Sequence, residues 1–367
     1  MIQLRTALLA HVLARPEIAL RLTGAEWSEV VSQGSSCASL ARLGQILESA
    51  NLISVVPPGA IRHIRSAEVV VRRQFQQALF EMGNITEALR PIGTVPVLLK
   101  GAAYIALGIP AGEGRYLADI DIMVPKGIIG EAESALMMDG WIGVEQDAYN
   151  QRYYREWMHE IPPMRHMRRG TVIDLHHTIL PLTASPKIDA EKLFKLARSV
   201  PGIPCLKVLC PVDMVLHSAT HLFHEGEFER GLRDLTDLHM LLEHFGRTEP
   251  DFWSKLVPRA QELGLTRPLY YGFRYAGKFL GTPIPRDVEE QLSADSPSLM
   301  KRAVMDELFM RALAPDHPSC QDALAPAARF LLFVRGHWLR MPAYLLIPHL
   351  VRKFWMKGRS SKAEEMQ

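Results

Sequence analysis

The chain has 367 residues, of which 48% are hydrophobic and 22% are charged, and its formal net charge is +2. A chain of this length and apolar content can bury a large core and is expected to form two or three structural units. The near-neutral charge argues against a long DNA or RNA substrate, which would need an extended basic groove.

The cysteines and the hydropathy of the chain suggest where the protein works. The four cysteines are sparse and scattered, which favours a reducing compartment over a disulfide scaffold. Arg5 and His11 interrupt the apolar N-terminal residues, and no uncharged apolar run reaches the roughly 18 residues of a membrane span. We therefore expect a soluble, cytoplasmic protein. Cys205 and Cys210 have a spacing compatible with half of a zinc site, but no second cysteine pair matches them.

Residues 1–92 are predicted to be an N-terminal helical region. A short helix begins at Ala25, Ser36 to Ser49 carries apolar residues at helical spacing, and Ile61 to Leu89 is predicted to be one long helix that ends before Pro91. We expect this region to form a platform packed against the part of the chain that follows it.

Residues 93–185 are predicted to form an α/β core, because strand and helix patterns alternate there. A glycine-rich loop, residues 108–114, is expected to be flexible and to lead into the central strand. The other predicted elements are a strand from Pro96 to Leu99, helices from Gly101 to Leu107 and from Ile128 to Met138, a strand from Trp141 to Val144, and a hairpin of Met164–Met167 and Thr171–His176.

Residues 186–357 are predicted to be a C-terminal helical domain, and residues 358–367 a disordered tail. The expected helices begin at Pro211 and Gly231 and continue with Trp253–Leu263, Pro268–Phe279, Ser298–Leu313, a helix from Pro326 to about Arg340, and a shorter one reaching Phe354. The run from Arg329 to Trp355 is apolar with interspersed basic residues. Packing against the helical domain is the favoured interpretation of this run; contact with a membrane surface as an amphipathic helix is the alternative.

The segment from Arg115 to Val124 carries the strongest functional signal. Apolar residues alternate along it as in a β-strand, which puts Asp119 and Asp121 on one face. Two carboxylates this close repel each other unless a cation or a proton lies between them, and Mg²⁺ or Mn²⁺ would be the simplest counterion. The alternative is the solvated face of an edge strand. Apolar flanks and a third carboxylate on a predicted strand, Asp174, favour the metal site.

Three motifs together resemble a known superfamily. They are Lys100-Gly101-Ala102 after a strand, the run Arg115-Tyr116-Leu117-Ala118-Asp119-Ile120-Asp121-Ile122-Met123-Val124, and Ile173-Asp174-Leu175-His176. The combination resembles the nucleotidyltransferase superfamily that includes DNA polymerase beta, and within it the uncharacterised nucleotidyltransferases of bacteria. The resemblance implies an α+β fold, in which a small mixed sheet like the polymerase beta palm is flanked by N- and C-terminal helical regions.

The same resemblance implies roles for individual residues. Asp119, Asp121 and Asp174 would be the catalytic residues and hold two Mg²⁺ ions, while Gly101 and Ala102 would bind the triphosphate. Ala102 departs from the usual serine and lacks its hydroxyl, and the gap to Asp119 is longer than usual.

The implied activity is Mg²⁺-dependent transfer of a nucleoside monophosphate from an NTP, such as ATP, to a hydroxyl-type acceptor with release of pyrophosphate. The acceptor stays open among a small molecule, a sugar, a peptide and a protein. The alternative is a catalytically silent nucleotide-binding or scaffold module of the same fold, and the missing hydroxyl at Ala102 favours it.

Two cations near these motifs are candidate nucleotide contacts. Lys100 would meet the triphosphate as a point charge, and Arg115 could bind it with two parallel hydrogen bonds. The alternative for Arg115 is an ion pair with a nearby aspartate.

Several histidines are candidates for an outer layer of the site. His176 is predicted to lie on the same face as Asp174, near the metals, or only to hydrogen-bond that aspartate, while His177 points to the other face. His217, His221 and His224 are predicted to share one face of a helix. Burial near a domain boundary is the favoured interpretation of these three, because Ser218 stands where a zinc protease needs glutamate.

The helix that begins near Arg230 offers further candidates. Arg233, Asp234 and Asp237, together with His221, could form a helical wall that contacts the nucleotide base or the acceptor. This assignment depends on the helix facing the cleft.

Overall fold

Seven short strands form one mixed sheet in the computed structural model, which describes residues 7–145, 147–342 and 344. The strands are β1 (Val97–Leu98), β2 (Ile120–Met123), β3 (Trp141–Gly143), β4 (Met164–His166), β5 (Val172–His176), β6 (Arg198–Ser199) and β7 (Lys207–Val208). Their order across the sheet is β3-β4-β5-β2-β1-β7-β6. Strand β2 lies at the centre, parallel to β5 and antiparallel to β1. All four of its residues are buried, as expected for a strand with a neighbour on each side.

Helices precede, connect and follow the strands, so the fold is mixed α+β. Before β1 come α1 (Leu8–Ala14), α2 (Gly24–Ser36), α3 (Leu40–Ser49) and α4 (Pro58–Leu89). Between the strands lie α5 (Lys100–Leu107), α6 (Ile129–Met138), α7 (Ala148–Trp157) and α8 (Ala190–Leu196). After β7 come α9 (Pro211–His224), α10 (Gly231–Thr248), α11 (Phe252–Leu263), α12 (Thr266–Leu280), α13 (Arg286–Ser293), α14 (Leu299–Ala312) and α15 (Ala325–Arg340).

Helix α4 connects the N-terminal helices to α5 and α6. Helix α4 begins at Pro58, three residues earlier than predicted, because proline suits the first turn of a helix. It contacts α3, α5 and α6 along its length. The expected helix from Ser36 to Ser49 is shorter, since the chain turns at Ala38, which has a φ of +55°, before α3 begins.

The predicted hairpin is confirmed. Strands β4 and β5 pair antiparallel, with Met164 opposite Ile173, and the N–H of His166 donates to the carbonyl of Thr171 over 2.9 Å. On its other side β5 pairs with β2, and this second pairing sets the position of Asp174.

Three elements differ from the sequence prediction. Helix α7 occupies residues 148–157, where none was predicted. Strands β6 and β7 lie in the region predicted to be wholly helical and extend the sheet beyond β1. Two residues are too short for a detectable hydrophobic period, so only the pairing of β7 with β1 and of β6 with β7 makes these segments strands.

The C-terminal helices surround α9, which contacts α10, α11, α12 and α15 and is almost wholly buried. Helix α15 has its predicted extent and packs against α14, while Phe330 and Trp338 stay exposed on its outer side. The predicted helix reaching Phe354 and the tail at 358–367 lie outside the described residues. None of the described helices is both long and apolar enough to cross a bilayer.

Candidate active site

The predicted aspartates meet at the centre of the sheet. Asp121 on β2 and Asp174 on β5 lie directly opposite each other in a parallel register. Directly paired residues of neighbouring strands point to the same face, so the two carboxylates lie side by side. Asp119 lies just before β2, and its charge acts on Asp174. The structure therefore brings together the three carboxylates that the sequence singled out.

The surroundings of Asp174 leave negative charge unbalanced. Its Oδ1 atom is buried and has no hydrogen-bond partner among the described residues. Burial, together with the charges of Asp121 and Asp119, raises the pKa of Asp174 to about 7. Burial and the charge of Asp121 also raise the pKa of Asp119. A cation beside these oxygens would relieve the repulsion.

Asp121 differs because two partners hold it. Lys100 Nζ donates to Asp121 Oδ1 over 3.1 Å, and His176 Nε2 lies 2.9 Å from the same oxygen. Burial alone would raise the pKa of Asp121, but these two partners outweigh burial and lower it well below its usual value. Asp121 is therefore an ionised carboxylate with a fixed orientation. The contact also confirms that His176 lies at the aspartates.

The turn from β1 into α5 delivers Lys100 to this carboxylate. Lys100 has a φ of +46°, an uncommon conformation for a residue with a side chain. At Gly101 a Cβ would lie 2.1 Å from Arg115 Nη1 and 2.8 Å from Leu117 Cδ1, so no side chain fits there without displacing them. The N–H groups of the first turn of α5 lack partners within the helix and can bind an anion. Ala102 is completely buried.

Helix α9 supplies a second wall of the site, because it packs against α5. Burial and the charge of Lys100 lower the pKa of both His217 and His221, which keeps these imidazoles neutral. His221 Nε2 lies 3.1 Å from Glu225 Oε1. Carboxylates of Asp121 and Glu225 in turn raise the pKa of Lys100, although burial alone would lower it.

His224 lies further along α9 than the other two histidines. Its neighbours include the backbone of Ser185 and the guanidinium of Arg335, and burial lowers its pKa to about 4. His217, His221 and His224 are spaced by four and three residues within one helix, so they share one face, as predicted. The neighbours of His224 differ because it lies about two turns beyond His217 along the helix axis.

Comparison with protein families decides the class of the molecule. Residues 23–281 match the model of a family described as an uncharacterised nucleotidyltransferase, and this range covers more than half of the chain. The chain belongs to this nucleotidyltransferase family. The match runs from the residue that caps α2 to the residue after α12, so it includes the aspartate strands and helices on both sides of the sheet. No curated protein and no solved structure matches the chain significantly.

Arg115 belongs to a buried ion-pair network. Arg115 Nε donates to Asp237 Oδ2 over 2.6 Å, and Arg42 Nη2 donates to Asp237 Oδ1 over 2.9 Å. Asp237 is 2% exposed, so both of its oxygens are fully used in the interior. Arg115 therefore forms the ion pair with an aspartate that was the alternative to a nucleotide contact. A contact between Arg115 and the nucleotide stays a prediction.

Arg233 and Asp234 adjoin that network. Arg233 Nη2 is 2.6 Å from Asp234 Oδ1, and Arg115 Nη2 is 4.0 Å from the same oxygen. The positive charge of Arg233 acts on Asp119 and opposes the rise of its pKa. Helix α10 thus faces the site at Arg233, whereas its Asp237 is enclosed in the interior.

A small cavity opens beside Asp119. It has a volume of about 130 Å³ and is lined by Gln74 and Gln77 of α4 and by Thr171 before β5, among others. A larger cavity of about 520 Å³, next to Cys210 and Phe252, contains none of the site residues.

Three residues of the site were missed from the sequence. Glu225 follows His217 and His221 at intervals of four, a spacing that puts all three on one helix face and could have revealed it. His159 and Glu160 lie in the loop before β4, and Glu160 Oε2 is 3.4 Å from His176 Nε2. No periodic pattern surrounds this pair, so only the fold shows that they reach the site.

Proposed function

We propose that this chain is a Mg²⁺-dependent enzyme that transfers a nucleoside monophosphate from an NTP to a hydroxyl-type acceptor, releasing pyrophosphate. The observation that carries the proposal is the pairing of Asp121 with Asp174 in register, with unbalanced negative charge, beside the first turn of α5. Membership of a nucleotidyltransferase family supports the reaction class.

The donor set of the site fits Mg²⁺. Asp174 Oδ1 is buried and has no hydrogen-bond partner in the described part of the chain. Asp119, Asp121 and Asp174 act on one another electrostatically, and Lys100 is the cation that contacts Asp121. Hard oxygen ligands of this kind suit Mg²⁺, which is usually held by one or two carboxylates and by substrate phosphates. We assign Asp119, Asp121 and Asp174 as the residues that would hold it. The chemistry that bound Mg²⁺ supplies is neutralisation of the triphosphate and a lower pKa for the acceptor hydroxyl.

The chain's own groups would bind and orient the nucleotide. The N–H groups of Gly101 and Ala102 at the start of α5 would donate hydrogen bonds to phosphate oxygens, and Lys100 would add a positive charge. His176 holds Asp121 in place through its Nε2. Helix α9, with His221, would close the site on the opposite side.

The transfer itself exchanges one bond to phosphorus for another. The acceptor oxygen forms a bond to the α-phosphorus, while the bond from that phosphorus to the bridging oxygen of pyrophosphate breaks. The proton of the acceptor hydroxyl passes to Asp174, whose Oδ1 has no competing hydrogen bond from the residues that the structure describes. We assign the cavity beside Asp119 to the acceptor, and the near-neutral charge of the chain favours a compact acceptor over a long nucleic acid.

Nucleotide transfer can be tested directly with labelled NTPs, Mg²⁺ and a panel of hydroxyl-bearing acceptors. Wild-type protein is expected to transfer label, and Asp119→Ala and Asp121→Ala are expected to abolish it. Asp251→Ala is the matched control, because its side chain is 69% exposed and remote in the chain from the site. If the wild type neither binds Mg·NTP nor differs from the Asp119→Ala and Asp121→Ala variants, the proposed reaction is wrong.

A second candidate is a silent nucleotide-binding module. Two observations favour it: Ala102 lacks the hydroxyl of the family pattern, and the ammonium of Lys100 already contacts Asp121. Calorimetry separates the two candidates, since a silent module would bind NTP in the presence of a chelator and would release no pyrophosphate with any acceptor.

A further inference from the structure

We propose that His159, Glu160 and His176 form a binding site for a divalent transition metal of the zinc type, in addition to the aspartates. His159 and Glu160 come from the loop between α7 and β4, and His176 ends β5. The proposal does not depend on nucleotide transfer, because these three side chains could bind a metal whether or not the chain is an active enzyme.

Backbone pairing holds the three ligands in place. The N–H of His177 donates to the carbonyl of His159 over 2.9 Å, and the N–H of Ile161 donates to the carbonyl of Leu175 over 3.0 Å. Between these bonds, Glu160 bridges to His176 in antiparallel fashion. The loop therefore continues the sheet at this point, so the ligand positions are set by the fold and not by a free loop.

The distances between the ligand atoms suit a small cation. Glu160 Oε2 lies 3.4 Å from His176 Nε2 and 3.8 Å from His159 Nε2. One ligand atom from each residue can be chosen so that all lie within 4.8 Å of one another. Ligands about 2.1 Å from a tetrahedral zinc ion lie about 3.4 Å apart, so a cation could enter with small side-chain adjustments.

The chemistry of the three groups selects the metal. Two imidazoles and one carboxylate are the protein ligands of several catalytic zinc sites, which keep a fourth position open. Imidazole suits zinc, copper, iron and nickel, whereas Mg²⁺ prefers oxygen. Glu160 is also a mostly buried carboxylate, and within the described parts of the chain its ion-pair partners are these two imidazoles, with no lysine or arginine among them.

Metal at this position would affect the neighbouring aspartate. His176 Nε2 is 2.9 Å from Asp121 Oδ1 as well as 3.4 Å from Glu160 Oε2. An imidazole nitrogen that binds a metal cannot donate a hydrogen bond at the same time. Occupancy by a transition metal would therefore release Asp121 Oδ1 from His176 and couple the two parts of the site.

The test is Co²⁺ binding by the untagged, full-length chain after removal of metals with a chelator. Co²⁺ reports nitrogen-containing tetrahedral sites by its visible absorption, and Zn²⁺ should displace it while millimolar Mg²⁺ should not. We expect His159→Ala and Glu160→Gln each to weaken Co²⁺ binding by about 100-fold or more, since even outer contacts of metal ligands are worth about 10–100-fold. His63→Ala, which removes an exposed histidine on α4, should bind Co²⁺ like the wild type.

Further measurements distinguish metal binding at this site from metal binding at the aspartates, and loss of a ligand from loss of folding. Asp174→Asn should keep Co²⁺ binding while it loses nucleotide transfer. X-ray absorption of the Zn²⁺-loaded wild type should show two imidazoles, a result that requires no variant to fold. Tight Co²⁺ binding that survives His159→Ala and Glu160→Gln, or an all-oxygen zinc environment, would overturn the proposal. Absence of nucleotide transfer by a wild type that binds Co²⁺ as expected would overturn only the proposed function.

Discussion

Asp237 and Asp174 are both largely buried aspartates, yet their surroundings differ in charge balance. Asp237 receives hydrogen bonds from two arginines, one to each oxygen. Asp174 faces two other aspartates, and its Oδ1 receives no hydrogen bond within the described residues. A buried carboxylate paired with guanidinium groups holds helices together, whereas a group of carboxylates with unbalanced charge is tolerated where a ligand is to be bound. The contrast distinguishes a structural aspartate, Asp237, from an aspartate of the candidate active site, Asp174.

The largest effect is expected from Asp174→Asn, which tests the active-site half of the comparison. Nucleotide transfer should fall by about 10³-fold, because loss of a metal ligand removes several kcal/mol of transition-state stabilisation and each 1.36 kcal/mol is tenfold in rate. In metal-free buffer the melting temperature should rise, because the substitution removes one of three mutually repelling carboxylates. Transfer assays and thermal unfolding of the same preparation check both. A variant with wild-type transfer would show that Asp174 has no part in the reaction.

Asp237→Asn tests the structural role of the ion-pair network. It should lower the stability of the fold, whereas Asp174→Asn should raise it. The substitution leaves Arg42 and Arg115 without their counter-charge, and removal of one partner from a buried ion pair costs about 3–5 kcal/mol of unfolding free energy. Chemical denaturation measures the loss. Glu48→Gln is the control, since its pair with Arg65 is well exposed and such pairs contribute about 0–1 kcal/mol. Equal effects of the two substitutions would remove the distinction between the two regions.

Gly101→Ala should affect both the Asp237 ion-pair network and the candidate active site, because Gly101 contacts Arg115. The new Cβ would meet Arg115 Nη1 and Leu117 Cδ1, and overpacking of this kind costs about 1–3 kcal/mol. Because Arg115 also holds Asp237, we expect NTP affinity and stability to fall together. Gly130→Ala is the matched control. It lies in helix α6, no atom of the described residues lies within 4 Å of its added Cβ, and it should be neutral or slightly stabilising. Wild-type stability of Gly101→Ala would mean that Arg115 moves aside at no cost.

The smallest effect is expected from Asp306→Asn. Asp306 is a paired carboxylate on α14 and is distant in sequence from both Asp174 and Asp237. Burial would raise its pKa, but hydrogen bonds from Arg274 and Lys278 outweigh burial and lower the pKa of Asp306 to about 2. A carboxyl with a lowered pKa stabilises the fold above its unfolded pKa of about 3.9 and loses that contribution as pH falls through the folded value. The stability difference between wild type and Asp306→Asn should therefore shrink between about pH 4 and pH 2. A difference that stays constant over this range would contradict the assignment.

Much of the architecture was predictable because it depends on local periodicity. The long helix α4, the hairpin of β4 and β5, and the start of α9 at Pro211 follow from hydrophobic spacing, turn residues and proline positions. The aspartate site was predictable in part, since a polar residue at every second position of an apolar strand is a local signal. The partners of Arg115 and the position of Glu160 beside His176 were not predictable, because no residue close to either in sequence indicates them.

The sequence by itself determined the nucleotidyltransferase motif, the main helices and the placement of Asp121 and Asp174 on strands. Only the tertiary structure decided that those strands are neighbours in register, that β6 and β7 extend the sheet, and that His159 and Glu160 lie beside His176. The physical reason is the range of the interactions. Side-chain periodicity acts over a few residues, whereas strand pairing and charge balance join residues that are distant along the chain and are settled only when the core forms.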